Sequence, residues 1–476
     1  MAGDDLCWTP ATDLAALIRR RKVSPVEVVD AVLARIDKLN PRLNAYVVVC
    51  ADDARKQARA AERAVMRKGA KLGPLHGVPF SVKDLVITKG VRTTFGTPLH
   101  RDNVPDEDAP IVARMTSAGG IMLGKTNTPT FGWIGATHNL VYGVTRNPWA
   151  LERTPGGSSG GASAAVAAGL GPLAVGTDGG GSIRIPASLA GIYGHKPSYG
   201  RIPLYPVSAA WSVSHVGPMT RTVADAALMM NVCAGPDERD QYSLPAHGVD
   251  YLKALKGSLK GLRVAYTDDL GAGEPVDPEV RTECAKAARA FRELGCRVET
   301  VSPRWPSPKD AWKTIFCGGI ATRMAAGGPP NPLRDRRADI EPGLYALIEE
   351  TLADPPTRYV QAWFDRLAWW QHPRAFFEKY DLLLTPTVAC AAFDADGEGP
   401  GEIAGTPVDR YGWIPFTYPF NVTGQPAASV PCGFTRDGRP IGLQIVGRRY
   451  DDVTVLRASA AFERARPWTQ HRPPLA

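Results

Sequence analysis

The chain reads Pro-Gly-Gly-Ser-Ser-Gly-Gly at residues 155–161 and Gly-Thr-Asp-Gly-Gly-Gly-Ser-Ile-Arg at residues 176–184. Each stretch places a serine, Ser158 or Ser182, in a glycine-rich bend just before a helical segment. Glycine lets the backbone turn sharply, and the first turn of a helix presents unpaired N–H groups and the positive end of its dipole. Because such groups stabilise an oxyanion, the two stretches predict a site built around serine. An ordinary glycine- and serine-rich loop is the alternative.

A serine nucleophile needs a base, and one candidate is a lysine. Lys83 lies in the otherwise apolar stretch Val-Pro-Phe-Ser-Val-Lys-Asp-Leu-Val at residues 78–86, which predicts a strand. Burial disfavours the ammonium form and lowers the pKa of a lysine by as much as about 3–5 units, so that the neutral amine can take a proton. Strand alternation places Asp84 on the opposite face. A lysine that faces solvent is the alternative.

Histidine is the other candidate base, as in the Ser-His-Asp triad of an α/β-hydrolase. Residues 157–161 fit the G-x-S-x-G pattern of that class, and His195 or His215 would supply the base. In those enzymes the serine follows a strand directly, whereas Arg-Thr-Pro-Gly precedes this stretch, and the sequence has no His-Gly-Gly-Gly motif. The sequence therefore favours a lysine base, with the histidine triad as the alternative.

A second familiar pattern is misleading. Residues 119–126 fit the phosphate-binding pattern G-x-x-x-x-G-K-[ST]. A phosphate loop needs small residues between its glycines and a helix after its lysine, whereas this segment contains Ile-Met-Leu and is soon followed by Pro129. We therefore predict a buried strand at residues 121–123 and no nucleotide site.

Taken together, the motifs resemble the amidase signature family. The glycine- and serine-rich region starts at residue 156 and ends in Ser-Ile-Arg-Ile-Pro-Ala-Ser at 182–188, and the lysine motif reads Gly-Val-Pro-Phe-Ser-Val-Lys-Asp at 77–84. Further matching segments are Gly-Lys-Thr-Asn-Thr-Pro at 124–129, Gly-Pro-Met-Thr-Arg-Thr at 217–222 and Thr-Gly-Gln-Pro-Ala at 423–427. The resemblance covers about residues 10–465 and is weakest at 236–376. It implies an α/β fold, a large mixed sheet sandwiched between helices, with no metal or organic cofactor.

The resemblance also implies a role for each site residue. Ser182 corresponds to the nucleophile, Ser158 to a bridging serine held by a cis peptide bond, and Lys83 to the general base of a Ser-cisSer-Lys triad. The implied activity is cleavage of C–N bonds in amides through an acyl-enzyme. The backbone N–H groups implied to hold the oxyanion are those of Gly179, Gly180, Gly181 and Ser182.

The substrate is less narrowly predicted, because the family includes transamidation subunits, fatty-acid amide hydrolases, aryl acylamidases, cyclic-amide hydrolases and carbamate-cleaving enzymes. Ile185 stands where the transamidating subunits usually carry glutamine. This departure favours a stand-alone hydrolase acting on an apolar small molecule, either an amide, a carbamate (urethane) or an ester. A partner-dependent transamidation subunit is the alternative. The candidate substrate-pocket residues are Trp312, Phe316 and Cys317.

The hydrophobic pattern predicts a single domain over residues 1–476 that begins with a helical part at 9–69. Ser24, Pro25 and Glu27 form a capping box with proline in the first helical turn. We expect that helix to end at Asn40-Pro41 and a charged helix to follow at residues 52–68.

From residue 72 onward, short strands alternate with helices, which predicts an α/β sheet. Residues 236–376 hold five of the eleven tryptophans, and we interpret them as a substrate-shaping insertion in the fold. Besides those already given, the predicted strands are 173–175, 382–384 and 441–446, and the predicted helices are 109–117, 162–168, 183–189 and 452–464.

The composition indicates which cofactors, binding partners and cellular location to expect for the protein. Of the 476 residues 44% are hydrophobic and 22% charged, as in a globular protein with a large core. The net charge of +8 is spread over short runs, so we expect no nucleic-acid partner, while a homodimer stays open. Eight separated cysteines without a C-x-x-C pair predict free thiols and no metal site. The uncharged stretch 156–177 is too weakly apolar to span a membrane, and no apolar leader is evident, which together predict a cytoplasmic protein.

Overall fold

The computed structural model describes residues 3–271, 273–325 and 331–475, and its centre is one large β-sheet. In chain order the strands are β1 (Tyr46–Val49), β2 (Pro79–Lys83), β3 (Ile121–Thr126), β4 (Leu173–Asp178), β5 (Tyr193–Lys196), β6 (His215–Thr220), β7 (Arg263–Tyr266), β8 (Arg297–Thr300), β9 (Leu382–Pro386), β10 (Glu402–Ile403), β11 (Thr406–Pro407), β12 (Ala427–Phe434) and β13 (Pro440–Gly447).

Eleven of these strands form the main sheet, in the order β1-β3-β2-β4-β6-β5-β12-β13-β9-β7-β8. The sheet is mixed. β2 runs parallel to β3 and β4, and β7 runs parallel to β8 and β9, whereas the strands between them pair antiparallel. β10 and β11 form a separate two-stranded ribbon. The predicted class, a large mixed sheet with helices, is confirmed.

Most residues of the central strands are buried, so both faces of the sheet are covered. Every residue of β2, β6, β9 and β13 is buried, and a strand of this kind must be packed on both sides. The helices are α1 (Gly3–Trp8), α2 (Ala11–Arg19), α3 (Pro25–Leu43), α4 (Ala51–Met66), α5 (Pro110–Ser117), α6 (Gly160–Ala167), α7 (Arg184–Ala190), α8 (Val223–Cys233), α9 (Tyr251–Ala254), α10 (Pro278–Glu293), α11 (Lys309–Ala325), α12 (Pro332–Asp335), α13 (Pro342–Ala353), α14 (Pro356–Trp369), α15 (Gln371–Lys379), α16 (Pro419–Val422) and α17 (Asp452–Ala465).

In the helical N-terminal part, the charged helix predicted at residues 52–68 is confirmed as α4. The capping box is present, since Val26 donates its N–H to the Ser24 hydroxyl and Ser24 donates its own N–H to Glu27. The prediction that Asn40-Pro41 end α3 is wrong. The helix continues to Leu43, and the Asn40 side chain then accepts the N–H groups that follow. That contact turns the chain into β1, an edge strand within residues 9–69 that the pattern did not predict.

The tryptophan-rich middle of the chain also differs from expectation. Residues 236–376 contain β7 and β8, which form the far edge of the main sheet and are therefore not outside the sheet. Each has only four residues, and β8 is largely exposed, so neither produces a clear alternating pattern. The helices of the segment run from α9 to α15.

The segment that carries the misleading phosphate-binding pattern folds as a strand. Lys125 lies in β3, is completely buried, and donates hydrogen bonds to the Val86 carbonyl and to the hydroxyls of Thr88 and Thr93. A lysine held in this way has no donor left for a phosphate, and the strand predicted at residues 121–123 is confirmed as part of β3. All eight cysteines are free thiols. Within the described ranges, none of the helices combines the length and apolar character that a bilayer crossing requires.

Candidate active site

Two of the predicted serines meet in one cavity. Ser182 lies between β4 and α7, and Ser158 lies two residues before α6. Both side chains line a cavity of about 120 Å³. The peptide bond between Gly157 and Ser158 is cis, as the resemblance implies. The two glycine-rich stretches are therefore not separate surface loops, because they bring Ser158 and Ser182 to a common space.

Lys83 is the last residue of β2 and is completely buried. Its Nζ atom lies 2.7 Å from Ser158 Oγ, 2.8 Å from Ser159 Oγ and 2.9 Å from Thr177 Oγ1. β2 and β4 are parallel neighbours, so their carboxyl ends reach the same edge of the sheet and place Lys83 beside Thr177. The amine is thus surrounded by three hydroxyl groups.

The direction in which each hydroxyl donates its proton follows from the other hydrogen bonds of that hydroxyl. Ser159 Oγ lies 3.2 Å from the Thr177 carbonyl, to which it donates, and it accepts the Thr177 N–H at 3.3 Å. A lone pair of Ser159 therefore remains for an N–H of Lys83. Apart from Lys83, the Ser158 hydroxyl has no hydrogen-bond partner in the described parts of the chain, so its proton can be donated to a neutral amine. This geometry suits proton transfer from Ser158 to Lys83.

The surroundings of Lys83 favour the neutral amine. Burial lowers the pKa of Lys83 well below its ordinary value, and the Asp178 carboxylate opposes that shift. The adjacent carboxylate of Asp84 is directed elsewhere, because it accepts both the backbone N–H and the hydroxyl of Thr94. Desolvation therefore outweighs the nearby negative charge, as expected from strand alternation.

One buried carboxylate holds the loop that carries Ser182. Asp178, the last residue of β4, accepts the backbone N–H groups of Gly181 at 2.7 Å and Ile183 at 3.1 Å. It also accepts two bonds from the Arg184 guanidinium, at 3.0 and 2.9 Å. Burial alone would raise the pKa of Asp178, but the Arg184 charge and hydrogen bonds bring it well below its ordinary value. A charged carboxylate thus fixes the backbone on both sides of the serine.

The hydrogen bond between the Gly181 N–H and Asp178 corrects the predicted set of oxyanion donors. The Gly181 N–H donates to Asp178 and is not available to a substrate oxygen. Among the residues that the structure describes, nothing accepts the N–H groups of Gly179, Gly180 or Ser182. These three groups remain as candidate donors.

Trp312 positions this loop and does not line the cavity, contrary to expectation. Its indole N–H donates to the Gly179 carbonyl at 2.9 Å. The C=O and N–H groups of a trans peptide point in opposite directions, so this bond turns the Gly180 N–H away from the indole. The indole also leaves no room for a side chain at position 180, since a Cβ there would lie 2.4 Å from the ring. Thr417 fixes the next peptide by donating its hydroxyl to the Gly180 carbonyl at 2.7 Å.

The other two candidate pocket residues lie on the same helix, α11, and face different ways. Phe316 lines the cavity, whereas Cys317 does not. Successive helical residues point about 100° apart, so both cannot face the same space. The Cys317 thiol is buried 3.9 Å from the Tyr411 hydroxyl, and burial raises its pKa to about 12. It is therefore a packed, unreactive thiol.

The cavity wall is mainly apolar and aromatic. Among the described lining residues, Arg323 at the rim and Asp178 are the charged ones. Such a wall favours an uncharged substrate that carries an apolar group. The principal apolar residues of the wall are Leu85, Phe95, Ile111, Phe131, Phe316 and Ile320.

Neither histidine of the alternative triad lines this cavity. The buried His195 has its Nε2 3.3 Å from Asp452 Oδ1. His215 Nε2 lies 3.3 Å from Lys196 Nζ, and the ring borders a neighbouring cavity of about 370 Å³. Burial, followed by the Lys196 charge, lowers the pKa of His215 well below its ordinary value. Both rings belong to structural networks, so the Ser-His-Asp arrangement is not formed.

Some residues of the site were missed from the sequence. Thr177 carries no signal of its own within its glycine-rich motif, although its hydroxyl contacts Lys83. Asp178 and Arg184 did offer a signal, since they are the charged residues of an otherwise uncharged stretch at 156–184. Thr417 offered none, because its contact with the loop spans 237 residues of the chain.

We expect Asp178→Asn to destabilise the protein by about 3–5 kcal/mol, because one partner of a buried, hydrogen-bonded ion pair is removed. An amide nitrogen cannot accept the N–H groups that both carboxylate oxygens now bind, and Arg184 would keep an uncompensated charge. The measurement is urea unfolding at neutral pH. The matched control is Asp394→Asn in the exposed Arg153 pair, with an expected loss below about 1 kcal/mol. Equal losses in the two variants would contradict this role for Asp178.

Comparisons with known proteins find similarity over almost the whole chain. The amidase family model matches residues 27–456. The chain is 42% identical to an acylamidase of Rhodococcus erythropolis, over 99% of this chain and 98% of the relative. It is 38% identical to a glutamyl-tRNA(Gln) amidotransferase subunit from Moorella thermoacetica, over 99% of each.

A solved structure supports the same assignment. The crystal structure of a bacterial aryl acylamidase of the amidase signature family superposes with a TM-score of 0.91, at 37% identity and over 97% of each chain. With the 42% identity to an acylamidase, the chain is therefore similar to acylamidases both in sequence and in fold. The chain belongs to the amidase signature family and is an amidohydrolase that acts on amide bonds.

Proposed function

We propose that the protein is a stand-alone hydrolase that cleaves the C–N bond of small apolar amides through an acyl-enzyme on Ser182, with Ser158 as the bridging serine and Lys83 as the general base. The observation that carries the proposal is the contact of 2.7 Å between the buried Lys83 amine and Oγ of Ser158, a serine that lines the same cavity as Ser182. The depressed pKa of Lys83 supports its role as a base.

In the acylation step, neutral Lys83 takes the proton of Ser158 while Ser158 takes that of Ser182. The Ser182 oxygen attacks the substrate carbonyl, and N–H groups of the glycine-rich loop hold the oxyanion. When the intermediate collapses, the C–N bond breaks and Ser158 gives a proton to the leaving nitrogen, while Lys83 returns one to Ser158. The products of this step are a free amine and an ester on Ser182.

In the second step water attacks that ester. The same relay takes a proton from the water, and Ser182 leaves as a hydroxyl after receiving a proton from Ser158. A carboxylic acid is released, and all three side chains return to their starting protonation states. The relay therefore needs no group beyond these side chains and water.

The proposed substrate class follows from the size and wall of the cavity. About 120 Å³ bordered by apolar side chains suits a compact, uncharged molecule. The names of the relatives, an acylamidase and an aryl acylamidase, support an amide of this kind. Carbamates and esters present the same carbonyl to Ser182, but no contact in the cavity favours them over an amide.

A transamidation subunit is the second candidate, because one protein of that type is 38% identical to this chain. The higher identity to an acylamidase supports the stand-alone enzyme. So does Ile185, whose apolar side chain packs beside Gly181. A Cβ placed on Gly181 would lie 2.7 Å from Ile185 Cδ1, so an apolar residue borders the loop of the nucleophile.

We expect the purified chain alone to hydrolyse simple amides, and to do so equally well after treatment with EDTA. The described residues contain no group of three or more side chains suited to a metal ion, and the relay uses none. The measurement is product release from a panel of anilides, alkyl amides, carbamates and esters, with and without the chelator. Hydrolysis that requires an added partner protein would favour the transamidation alternative. Inactivation by EDTA and recovery with zinc would contradict the proposed chemistry.

A further inference from the structure

One buried carboxyl group near the site takes no part in the relay. Glu341 lies immediately before α13, in the tryptophan-rich middle of the chain, and is only 5% exposed. Its side chain does not cap that helix. Instead its Oε1 lies 2.7 Å from Thr130 Oγ1, whereas its Oε2 is buried without a hydrogen-bond partner in the described parts of the chain. A charged carboxylate with so few partners is costly to bury, which favours the neutral acid.

The hydrogen bonds of Thr130 lead to the same result. Thr130 Oγ1 also lies 2.7 Å from the carbonyl oxygen of Gly96. A carbonyl oxygen can only accept, and a hydroxyl has one proton to donate, so Thr130 donates to Gly96 and accepts from Glu341. Both contacts are full hydrogen bonds only when the Glu341 carboxyl carries a proton.

The charged groups around Glu341 do not reverse this preference. Burial raises the pKa of Glu341 above its ordinary value, the hydroxyl contact and the residue's own N–H oppose the shift, and the Glu398 carboxylate adds to it. The three nearby arginines have other partners, in turn the Asp339 carboxylate, the Tyr345 ring and the Glu398 carboxylate. Burial also lowers the pKa of the nearby histidine. The charged or titratable side chains on the neighbouring segments are those of Arg336, Arg337, His138, Asp396, Glu398 and Arg410.

The Thr130 hydroxyl joins two turns of the cavity wall, residues 94–96 and 129–132. Phe95 and Phe131 line the cavity and have positive φ, 53° and 49°. This conformation is unfavourable for a bulky side chain and persists only where surrounding contacts enforce it. Besides the bond from the Thr130 hydroxyl, the Phe131 N–H donates to the Phe95 carbonyl at 2.9 Å. The relative position of the two turns therefore depends on the Thr130 hydroxyl.

Each turn is attached to one member of the relay. In the first turn, the Phe95 N–H donates at 3.1 Å to the carbonyl of Asp84, the residue after Lys83. In the second turn, Gly132 is so near that a Cβ on it would lie 2.9 Å from Ser158 Oγ. A shift between the turns therefore changes the support of Ser158 relative to the Lys83 amine, which lies 2.7 Å from it.

We propose that neutral Glu341 is a positioning residue of the relay, because it donates a proton to Thr130 and so holds the second turn against Ser158. This inference rests on the proposed function, since it concerns the placement of the bridging serine. Loss of the proton leaves Glu341 and Gly96 as two acceptors for one hydroxyl proton. The charged carboxylate is the stronger acceptor, so Thr130 turns to it and the bond to Gly96 is lost.

Variants of the two hydrogen-bonding partners test this inference, with kcat measured on an amide that the wild type hydrolyses. Glu341→Gln provides a donor that cannot lose its proton, and it serves as the reference enzyme. We expect Glu341→Ala and Thr130→Val each to have a kcat about tenfold below that reference, since a small misplacement caused by a distant change can cost up to about 10²-fold. The double variant Glu341→Ala with Thr130→Val should lose no more than either single variant, because both remove the same link.

Two further variants separate positioning from folding. Thr130→Ser keeps the hydroxyl and should restore kcat. The matched control is Thr220→Val, because Thr220 is a completely buried threonine that donates to the Thr222 carbonyl at 2.8 Å and does not line the cavity. It should leave kcat unchanged. Equal values of kcat in Glu341→Gln and Glu341→Ala would overturn the inference.

The pH dependence supplies a readout that a purely structural contact would not change. Glu341 loses its proton as the pH rises, whereas glutamine stays neutral. The ratio of the Glu341→Gln kcat to the wild-type kcat should therefore rise by at least about threefold between pH 5 and pH 9. Lys83 titrates in both enzymes, so its effect cancels in the ratio. A ratio that stays constant or falls with pH would overturn the inference.

Ser158→Ala distinguishes failure of this inference from failure of the proposed function. If Ser158→Ala is inactive while the variants at Glu341 and Thr130 match the wild type at every pH, the inference alone is overturned. If Ser158→Ala keeps the wild-type kcat, the bridging role of Ser158 is overturned, and the inference with it.

Discussion

Replacing Ser182 with alanine is expected to abolish covalent labelling by a fluorophosphonate probe and to lower kcat for amide hydrolysis by about 10⁴-fold or more. The oxygen that forms the acyl-enzyme is lost, and the hydroxyl of Ser158 lies before α6 and not before α7. Ser182 is only 8% exposed and has open space on the cavity side alone, so alanine fits without disturbing the loop. Labelling is read by gel fluorescence, and hydrolysis by product release.

The matched control for this experiment is Ser188→Ala, which removes a buried serine of α7 that does not line the cavity. Labelling should be unchanged in that variant. Undiminished labelling of Ser182→Ala would rule out Ser182 as the nucleophile. Ser159, whose hydroxyl lies 2.8 Å from Lys83, would then be the next residue to replace.

The sequence predicts which three side chains the structure brings together because each lies in a short motif with a local physical signal. Lys83 is a lysine within an apolar strand, and Ser158 and Ser182 each follow glycines and precede a helix. In the structure Lys83 and Ser158 are in contact, and the two serines share a cavity. The catalytic roles assigned to them remain for the experiments to test.

The orientation of the oxyanion donors could not be predicted in the same way. Four consecutive N–H groups were expected to be available, but the direction of each peptide depends on side chains distant in the sequence. Trp312 binds the Gly179 carbonyl and Thr417 binds the Gly180 carbonyl, and the resulting turn delivers the Gly181 N–H to Asp178. Glycine-rich sequence permits many such turns, so tertiary contacts decide which one forms.

A similar limit applies to Phe95 and Phe131, two aromatic residues that line the cavity. Phe95 and Phe131 are 36 positions apart, and each is followed by glycine, which suggests a turn but not a left-handed conformation at the phenylalanine itself. That conformation depends on contacts between the two segments, such as the hydrogen bond from the Phe131 N–H to the Phe95 carbonyl. Sequence reasoning therefore located apolar pocket residues in the tryptophan-rich region, where only Phe316 of the three candidates lines the cavity.

For the fold, the predicted strands and helices are present, but other elements were missed, including β12 with its eight residues. The strand predicted at residues 78–86 is β2, and the one at 441–446 is β13, with small changes at the ends. β1, β7 and β8 have four residues each and lie toward the edges of the sheet. At that length, one buried face contributes only two side chains, which is too few to produce a recognisable period.

The second large effect is expected for Lys83→Met, which should lower kcat by at least about 10²-fold. Methionine preserves the length and apolar stem of the side chain but cannot accept the Ser158 proton. A matched control is Lys125→Met, since Lys125 is equally buried, in the neighbouring strand β3, but its hydrogen-bond partners are Val86, Thr88 and Thr93 and not a serine of the cavity. That variant should lose less than about tenfold in kcat, because no proton passes through Lys125. A Lys83→Met enzyme that retains more than about a tenth of the wild-type kcat would disprove the role of Lys83 as general base.

Lys83→Met should lose activity without losing stability at neutral pH. The pKa of Lys83 is lower in the folded protein than the unfolded value of about 10.4. The unfolded chain therefore binds the proton more readily, and keeping Lys83 buried costs stability at neutral pH. Between the folded and the unfolded pKa this cost falls by about 1.4 kcal/mol per unit of rising pH, and it disappears above the unfolded value. Methionine removes the cost and also loses hydrogen bonds worth about 0.5–1.5 kcal/mol each, so the variant should be no less stable at pH 7.

The same titration sets the pH dependence of the wild type. Lys83 must be neutral to accept a proton, so kcat/KM should rise with pH through the depressed pKa of the free enzyme and then reach a plateau. Urea unfolding of the wild type and Lys83→Met at pH 7 and pH 9.5 measures the stability side. The free energy of unfolding of the variant should fall relative to that of the wild type at the higher pH. The reason is that the pH then approaches the pKa of the lysine in the unfolded wild type. An advantage that stays constant or grows with pH would contradict a neutral Lys83 in the folded enzyme, whatever the activity of the variant.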